Sequence, residues 1–166
     1  MKKEELPDKI PVFPLTNFII FPGSDVPLNI FEPKYIQMVD ESMSGNRLIG
    51  IIQPKKSGEL NKPDLHKIGC IGKITSFNET GDGRYIINLK GICRFKTIEE
   101  IENKKIFREY QIRYDEYVDD LSNKIEEIKF ADLNTIFKNL KSLFKKQGYV
   151  INWKEIEKQN LVQTIN

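Results

Sequence analysis

Residues 10–35 read IPVFPLTNFIIFPGSDVPLNIFEPKY, and this stretch decides the fold class. Its apolar residues come in short runs, and a proline interrupts every run: Pro11, Pro14, Pro22, Pro27 and Pro33. Proline has no backbone N–H and a fixed φ, so neither a helix nor a long central strand can cross the stretch. We therefore predict short, kinked strands with a turn at residues 22–25, which begin a closed or nearly closed β-structure.

The next segments predict one helix and more strands. Residues 33–43 have apolar side chains at helical spacing, with a proline at the first helical position. Residues 48–52, LIGII, are a continuous apolar run of strand length, which predicts a strand buried on both faces. Glycines within residues 68–77 indicate β-bulges or close backbone approach, and residues 78–83 carry a strong hairpin signal.

The strand pattern continues beyond the hairpin. We predict that Gly91 kinks the chain before a further strand at residues 92–98. Residues 106–114 alternate most clearly, and this period of two predicts which side chains share a face. The inward set is Tyr110, Ile112 and Tyr114, and the outward set is Glu109, Gln111 and Arg113.

The period changes near residue 130. Apolar residues at helical spacing from Leu133 to Phe144 predict an amphipathic helix of about four turns, and Gly148 predicts its end. A second helix is predicted to open at residues 152–155. We therefore divide the chain into a β-domain, residues 1–118, and a C-terminal helical extension, residues 119–166, that packs on it.

Composition excludes several classes of partner. The 26 basic and 24 acidic residues give a formal net charge of +2, and a charge so nearly balanced does not indicate a surface for binding nucleic acid or an anionic membrane.

Residues 1–9 are charged and lack the apolar core of a signal peptide, and no apolar run approaches the ~20 residues of a membrane span. Cys70 and Cys93 lie in strand-like surroundings, which predicts buried free thiols in a reducing compartment. We expect a cytoplasmic protein.

The residues offer no catalytic or metal-binding constellation. His66, Cys70 and Cys93 are too few for structural zinc, which takes four ligands and usually paired cysteine spacing. Lys73 and Ser76 are a closely spaced Ser/Lys pair in a predicted strand, but side chains three apart on a strand face opposite ways. We predict no metal, no cofactor and no enzymatic activity.

Three motifs resemble those of a known family: FEPKY at residues 31–35, GCIGKIT at 69–75 and GICRF at 91–95. With most of residues 10–161, they are similar to the N-terminal substrate-binding domain of Lon proteases, and most of all to its stand-alone bacterial version. The resemblance implies an α+β, mainly β fold: a PUA-like pseudo-barrel of about six short strands with one internal helix, followed by a helical portion.

Two departures from Lon and its relatives bear on function. The chain has no G-x-x-x-x-G-K-[ST] phosphate loop, because residues 69–74 have the wrong spacing and lack the hydroxyl, and no segment matches Lon's protease domain. Relatives continue with more helix past Leu161 and Val162, whereas this sequence ends at Asn166. A truncated chain and a naturally short one are both consistent with this.

By resemblance, the chain is a non-catalytic module that recognises exposed hydrophobic or unfolded polypeptide segments. It would act as an adaptor or chaperone-like factor in protein quality control, with Lon-type protease machinery as a candidate partner. The site would be an apolar groove with a polar rim, where an extended peptide could add to a strand edge. The candidate groove residues, each equally suited to the core, are Phe18, Phe21, Phe31 and Tyr35.

Two alternatives stay open at this point. PUA-type barrels often bind RNA or nucleotides, so the chain is a candidate for that function by analogy of fold. An aromatic and basic strand face that could stack bases would comprise Phe77, Tyr85, Arg94 and Phe95. Self-association through the C-terminal helices is the other alternative, and the oligomeric state is not predicted.

Overall fold

The computed structural model describes residues 6–55, 62–121 and 130–146, together with Gly148 and Trp153. The chain divides into two compact units, Met1–Ser122 and Asn123–Asn166. The predicted domain boundary at residue 118 and the predicted packing of the extension stay predictions.

The described part of the first unit is mainly β. Its elements in chain order are β1 (Lys9–Pro14), β2 (Asp25–Ile30), α1 (Pro33–Ser44), β3 (Leu48–Pro54), β4 (Leu65–Glu79), β5 (Tyr85–Ile101), β6 (Arg108–Arg113) and a kinked 3-10 segment (Asp115–Leu121). The predicted mainly β fold with six strands and one internal helix is confirmed. Pro33 occupies the first turn of α1, as expected from its fixed φ.

One sheet contains all six strands, in the order β2-β5-β4-β3-β1-β6. Because β5 also pairs with β6, the strands β5, β4, β3, β1 and β6 form a closed ring of hydrogen-bonded neighbours. β2 lies outside this ring and pairs with β5. The length of β5 makes this possible: Tyr85–Lys90 pairs with β2 and Lys96–Ile101 pairs with β6. The β1–β3 pair is parallel and the other pairs are antiparallel. The predicted closed β-structure is therefore present.

Buried side chains form two clusters that lie on opposite faces of β3. The first comprises Phe13, Ile20, Ile30, Tyr35, Met38, Val39, Ile49, Ile51, Cys70, Ile74, Ile87, Leu89 and Phe107. The second comprises Leu6, Ile10, Val12, Leu48, Ile52, Leu65, Ile71, Cys93, Phe95, Ile112 and Tyr114. Side chains of a strand alternate between faces, so β3 contributes to both clusters, and the prediction that it is buried on both faces is confirmed.

Glycines lie where the strand pairing of the sheet is irregular or where the backbone is crowded. The register between β4 and β5 shifts between Ile71 and Gly72, where a bulge was predicted. The same shift leaves one extra residue, Ile92, between Gly91 and Cys93, and such a bulge bends β5 at the predicted kink. Gly91 does not, however, separate two strands, and the predicted start of a new strand at residue 92 is wrong. It pairs with Gly72 inside the continuous strand β5, and the reason for the glycine is a close backbone approach.

The inward and outward orientation predicted for the side chains of residues 109–114 holds except at Glu109. Ile112 and Tyr114 are buried, while Gln111 and Arg113 are exposed. Glu109 was predicted to face outward, but only 8% of its surface is exposed. Its carboxylate accepts hydrogen bonds from Asn103 at 2.7 Å and Lys105 at 3.0 Å, which compensate for its burial.

The second unit contains α2 (Phe130–Lys146), which confirms the predicted amphipathic helix. Gly148 follows it with φ of +77°, as its predicted role at the helix end requires. The Trp153 ring lies 5.8 Å from that of Phe144. Apart from Trp153, the second helix predicted at 152–155 lies outside the described residues. The helices that are described contain no segment long and apolar enough to cross a membrane.

Candidate functional site

The β1–β2 loop, residues 15–24, forms one wall of the candidate site. Asn17 reverses the chain with φ of +57°, a conformation that Asn tolerates better than most residues. Beyond it, Ile20 is 3% exposed and packs in the first cluster, whereas Ile19 and Phe21 are 60% and 48% exposed. The loop thus buries one apolar side chain and presents its two neighbours to solvent.

A tight turn ends this loop. The Phe21 carbonyl oxygen accepts hydrogen bonds from the Ser24 hydroxyl at 2.7 Å and from the Ser24 backbone N–H at 3.1 Å. Gly23 has φ of +83°, which glycine adopts without steric cost. The turn predicted at residues 22–25 is confirmed.

The turn docks on the middle of β5. The Gly23 N–H donates to the Gly91 carbonyl at 2.9 Å, and the Gly91 N–H donates to the Ser24 carbonyl at 2.8 Å. A Cβ at position 91 would lie 2.0 Å from the Phe21 carbonyl oxygen, so no other residue fits without moving the loop. This glycine opens the GICRF motif and holds Phe21 in place.

The β1–β2 loop and strands β3 and β4 enclose an apolar groove of about 620 Å³. It is lined by residues 18–21 of the loop, 51–53 of β3 and 66–70 of β4, together with Lys55 and Arg94. This volume is within the range of small-ligand and peptide side-chain pockets, roughly 300–1,000 Å³.

Ile68 forms part of the wall across the groove from the loop. It is 52% exposed, so with Ile19 and Phe21 it provides three large apolar side chains, each with about half or more of its surface in water. Beside it, Gly69 lies directly over a ring of the core: a Cβ there would be 2.5 Å from Phe95. Exposed apolar side chains gathered in one concave place are typical of a binding surface.

Arg94 also lines the groove and is held by Asp120. Its Nε and Nη2 donate to the two carboxylate oxygens of Asp120 at 2.9 and 2.7 Å, and its backbone N–H donates to Asp120 at 3.0 Å. The guanidinium also lies 4.8 Å from the Tyr117 ring centroid. The hydrogen bond from Arg94 lowers the pKa of Asp120, so this pair is ionised at neutral pH.

A second cleft, of about 1,110 Å³, is polar and contains a charged network around Glu100. Arg108 donates to both oxygens of Glu100, at 3.2 and 2.8 Å, while Lys62 and Tyr110 add bonds at 2.9 and 3.0 Å. Burial alone would raise the pKa of Glu100, but these donors outweigh it and lower the pKa to about 2. A carboxylate so fully paired suits a structural ion network better than proton transfer.

The four residues predicted for the groove do not lie together. Phe18 and Phe21 line the apolar groove. Phe31 is 65% exposed and lines neither cavity. Tyr35 is 8% exposed, packs on Phe13 with ring centroids 4.2 Å apart and borders the polar cleft. The role of all four in binding stays a prediction.

Two further groove residues, Ile19 and Ile68, were not predicted. The sequence does contain a signal for Ile19, because residues 18–21 are four consecutive large apolar residues next to a Pro-Gly turn. An irregular loop cannot bury four successive side chains on one side. Nothing local marks Ile68, because its exposure depends on how β4 lies against the β1–β2 loop.

The predicted aromatic and basic strand face is not formed. Phe95 is fully buried in the second cluster, whereas its neighbour Arg94 points out of the sheet to Asp120. Phe77 and Tyr85 pack edge to face with centroids 4.8 Å apart near the hairpin turn. These four side chains therefore offer no common stacking platform for bases.

The two cysteines are free and buried, as predicted. Cys93 pairs with Ile71, the neighbour of Cys70 on β4, so the two thiol side chains lie on different faces of the sheet. Burial raises the pKa of Cys70 to about 12 and that of Cys93 to about 11. Among the described residues, no group of three or more His, Cys, Asp and Glu side chains could hold a metal ion.

Comparisons with known proteins extend these observations. The Lon protease of Cytophaga hutchinsonii is 33% identical over 106 residues, which are 63% of this chain and 13% of that protein. The Lon protease of Dictyoglomus thermophilum is 28% identical over 149 residues, 89% of this chain and 18% of that protein. The chain thus spans less than a fifth of the length of these relatives.

Two solved structures share the fold. A Lon N-terminal domain protein from Xanthomonas campestris superposes with a TM-score of 0.52 at 21% identity, covering 64% of this chain and 59% of that one. The N-terminal domain of a Mycobacterium avium complex Lon protease gives 0.53 at 13% identity, covering 84% and 69%. The family model for the ATP-dependent protease La (LON) substrate-binding domain matches residues 9–165. The chain therefore belongs to the Lon substrate-binding domain family.

Proposed function

We propose that this chain is a non-catalytic module that binds exposed hydrophobic segments of other polypeptides in the apolar groove. It acts as an adaptor or chaperone-like factor in protein quality control in the cytoplasm, and Lon-type protease machinery receives the bound clients. Family membership supports a substrate-binding role, and the free, buried thiols suit a reducing compartment.

One observation carries the proposal: Ile19, Phe21 and Ile68 expose large apolar surfaces around a single groove. Leaving these side chains in water costs free energy that an apolar ligand would recover, about 25 cal/mol for each Å² removed from water. The wall is also preorganised, because the turn at Gly23 is hydrogen-bonded to Gly91. A rigid apolar wall loses little entropy when a ligand binds.

Side-chain insertion is the favoured mode of binding over strand addition. Among the described strands, β2 has a partner, β5, along one edge only. Pro27 in the middle of β2 lacks a backbone N–H, and proline on an edge strand hinders pairing with another chain. We therefore place the hydrophobic anchor of the client in the groove rather than on this edge.

The test measures binding of the full chain to labelled peptides of apolar sequence by fluorescence anisotropy. Phe21→Ala and Ile68→Ala should each weaken binding about tenfold, as for central apolar contacts of an interface. The matched controls, Phe31→Ala and Ile98→Ala, remove side chains that are at least as exposed but lie outside the groove, and they should leave affinity unchanged.

Two results would count against the groove. If Phe31→Ala weakens binding while Phe21→Ala does not, the client binds at the FEPKY motif instead. If no apolar peptide binds better than a polar peptide of the same length, the proposed function fails. Co-purification from the native cell, with identification of bound proteins, tests the proposed link to Lon-type machinery.

A further inference from the structure

We infer that Gln53 binds the main chain of the client, so that the groove accepts an extended polypeptide rather than any apolar molecule. This inference rests on the proposed function and adds a hydrogen-bonding requirement to it. Apolar walls provide affinity with little direction, and sites of this kind use a few polar groups to fix the orientation of the ligand. Among the described residues that line the groove, the only side-chain amide is that of Gln53.

The side chain of Gln53 points into the groove. Ile51 on β3 pairs with Cys70 on β4, and both belong to the first cluster and line the groove. Side chains alternate along a strand, so Gln53, two residues after Ile51, shares their face, as does Ile68, two residues before Cys70. The next residue of β3 supports this orientation, because Pro54 lines the polar cleft and not the apolar groove.

The amide of Gln53 is free to bind a ligand. No hydrogen bond to or from this side chain is present among the described residues, and none of their buried side-chain nitrogen or oxygen atoms lacks a partner. The amide of the half-buried Gln53 therefore reaches water. It can exchange that water for a group of the ligand without breaking a hydrogen bond within the protein.

The other polar side chains at the groove are less suited to this role. Arg94 and Lys55 are each already paired with an aspartate. The alternation of side chains along β4 directs Lys67 away from the groove. His66 is exposed and lies where the pairing of β3 with β4 is irregular. Gln53 is thus the polar side chain that the strand geometry aims at the ligand.

A side-chain amide matches the main chain of an extended peptide, because its NH2 group donates and its oxygen accepts. In an extended chain the N–H and C=O of one residue point to the same side, as in the hydrogen-bonded pairs of antiparallel strands. The Gln53 amide can donate to that C=O and accept from that N–H, while an apolar side chain of the client contacts Ile68 and Phe21. This mode is side-chain insertion with one main-chain contact, and it does not use a strand edge.

The experiment is a backbone ester scan with the full chain. A labelled serine-rich peptide with a central run of leucine and phenylalanine is made in versions that each replace one peptide N–H by an ester oxygen, and fluorescence anisotropy measures their affinities. One ester near the apolar centre should weaken binding about three- to tenfold, as expected for the loss of one uncharged hydrogen bond. Gln53→Ala should weaken binding of the unmodified peptide to a similar extent, and that ester should then have no further effect.

Gln111→Ala is the matched control, because Gln111 is an exposed glutamine outside the groove. This variant should keep both the affinity for the unmodified peptide and the ester effect. Both variants should unfold at the same temperature as the unchanged protein, since the Gln53 amide has no hydrogen bond to lose among the described residues.

The remaining outcomes separate the inference from the proposed function. An ester effect that survives Gln53→Ala, or that is lost in His66→Ala instead, overturns the inference. Equal affinity of all the ester versions also overturns it, and in these cases binding of the unmodified peptide leaves the proposed function standing. If the unmodified peptide binds no better than a polar peptide of the same length, the proposed function fails and the inference fails with it.

Discussion

The carbonyl oxygen of Phe21 occupies the place where a Cβ at position 91 would stand, only 2.0 Å from it. Phe21 belongs to the β1–β2 loop and Gly91 to the middle of β5. Within β5, Ile87 and Leu89 belong to the first core cluster and Cys93 and Phe95 to the second. The loop backbone therefore meets the strand where its buried face passes from one cluster to the other.

Replacing this glycine tests the relationship directly. Gly91→Ala should lower the free energy of unfolding by about 1–3 kcal/mol, because the loop must move to admit a methyl group. It should also weaken peptide binding, since Phe21 moves with the loop. Urea denaturation and anisotropy measure the two effects. Gly81→Ala is the control, because a Cβ there meets nothing within 4 Å. Equal stability of the two variants would contradict the proposed constraint.

Phe95 is the largest fully buried side chain of the second cluster, and its ring lies where Cβ atoms of Gly50 and Gly69 would be, at 2.9 and 2.5 Å. Phe95→Ala should destabilise the protein by about 3–5 kcal/mol, because the closed sheet cannot collapse around the cavity. Phe31→Ala, at 65% exposure, should change stability by less than about 0.5 kcal/mol. Thermal and chemical unfolding measure the stability of the two variants. Similar losses of stability in both would refute the assignment of Phe95 to the core.

Glu100 should make stability depend on acid pH. Its pKa is about 2 in the folded protein against an ordinary value of 4.5, so the unfolded chain binds the proton more tightly. The stabilisation is therefore complete above about pH 5 and is lost as the pH falls toward 2. Because the side chain is partly open to solvent, we expect about 1–2 kcal/mol at neutral pH.

Urea denaturation of Glu100→Gln between pH 3 and 7 measures this contribution. The variant should be less stable than the unchanged protein at neutral pH, and the difference should shrink as the pH falls. Glu102→Gln, which alters an exposed carboxylate bordering the same cleft, serves as the control. A difference that is constant with pH would show that the ion network contributes no proton linkage.

Both cysteines should resist thiol reagents in the folded protein. Burial raises the pKa of Cys70 to about 12 and that of Cys93 to about 11, and only the thiolate reacts. We expect slow modification by an aromatic disulfide reagent at pH 8 and complete reaction after unfolding in guanidinium. Ser76→Cys places a thiol at an exposed position of β4 and should react at once. Rapid modification of the unchanged, folded protein would contradict the burial of both thiols.

Much of the fold was predictable because its signals are local. The proline at position 33 and the helical spacing after it predicted α1, and the run LIGII predicted a strand with both faces buried. The turn at residues 22–25 followed from its proline and glycine. Each of these depends on backbone geometry or periodicity within a few residues.

The errors have a different origin. Gly91 suggests a boundary between two strands when only its neighbours are considered, whereas β5 continues through it and the feature that requires a glycine is a carbonyl of the distant β1–β2 loop. Glu109 was predicted to face outward because it alternates with the inward set of β6, and it is buried with Asn103 and Lys105 bonded to its carboxylate. Both features depend on contacts with residues outside the strand, which the alternation of side chains along a strand does not describe.

The amino-acid sequence by itself determined that the N-terminal third is built of short strands, that a helix follows, and that the chain resembles the Lon substrate-binding domain. Those conclusions rest on proline geometry, local periodicity and motifs. Only the tertiary structure decided which members of the run 18–21 are buried and that Phe21 and Ile68 share a groove. The physical reason is that exposure in a loop depends on the strands it packs against, and closure of the sheet brings distant segments together.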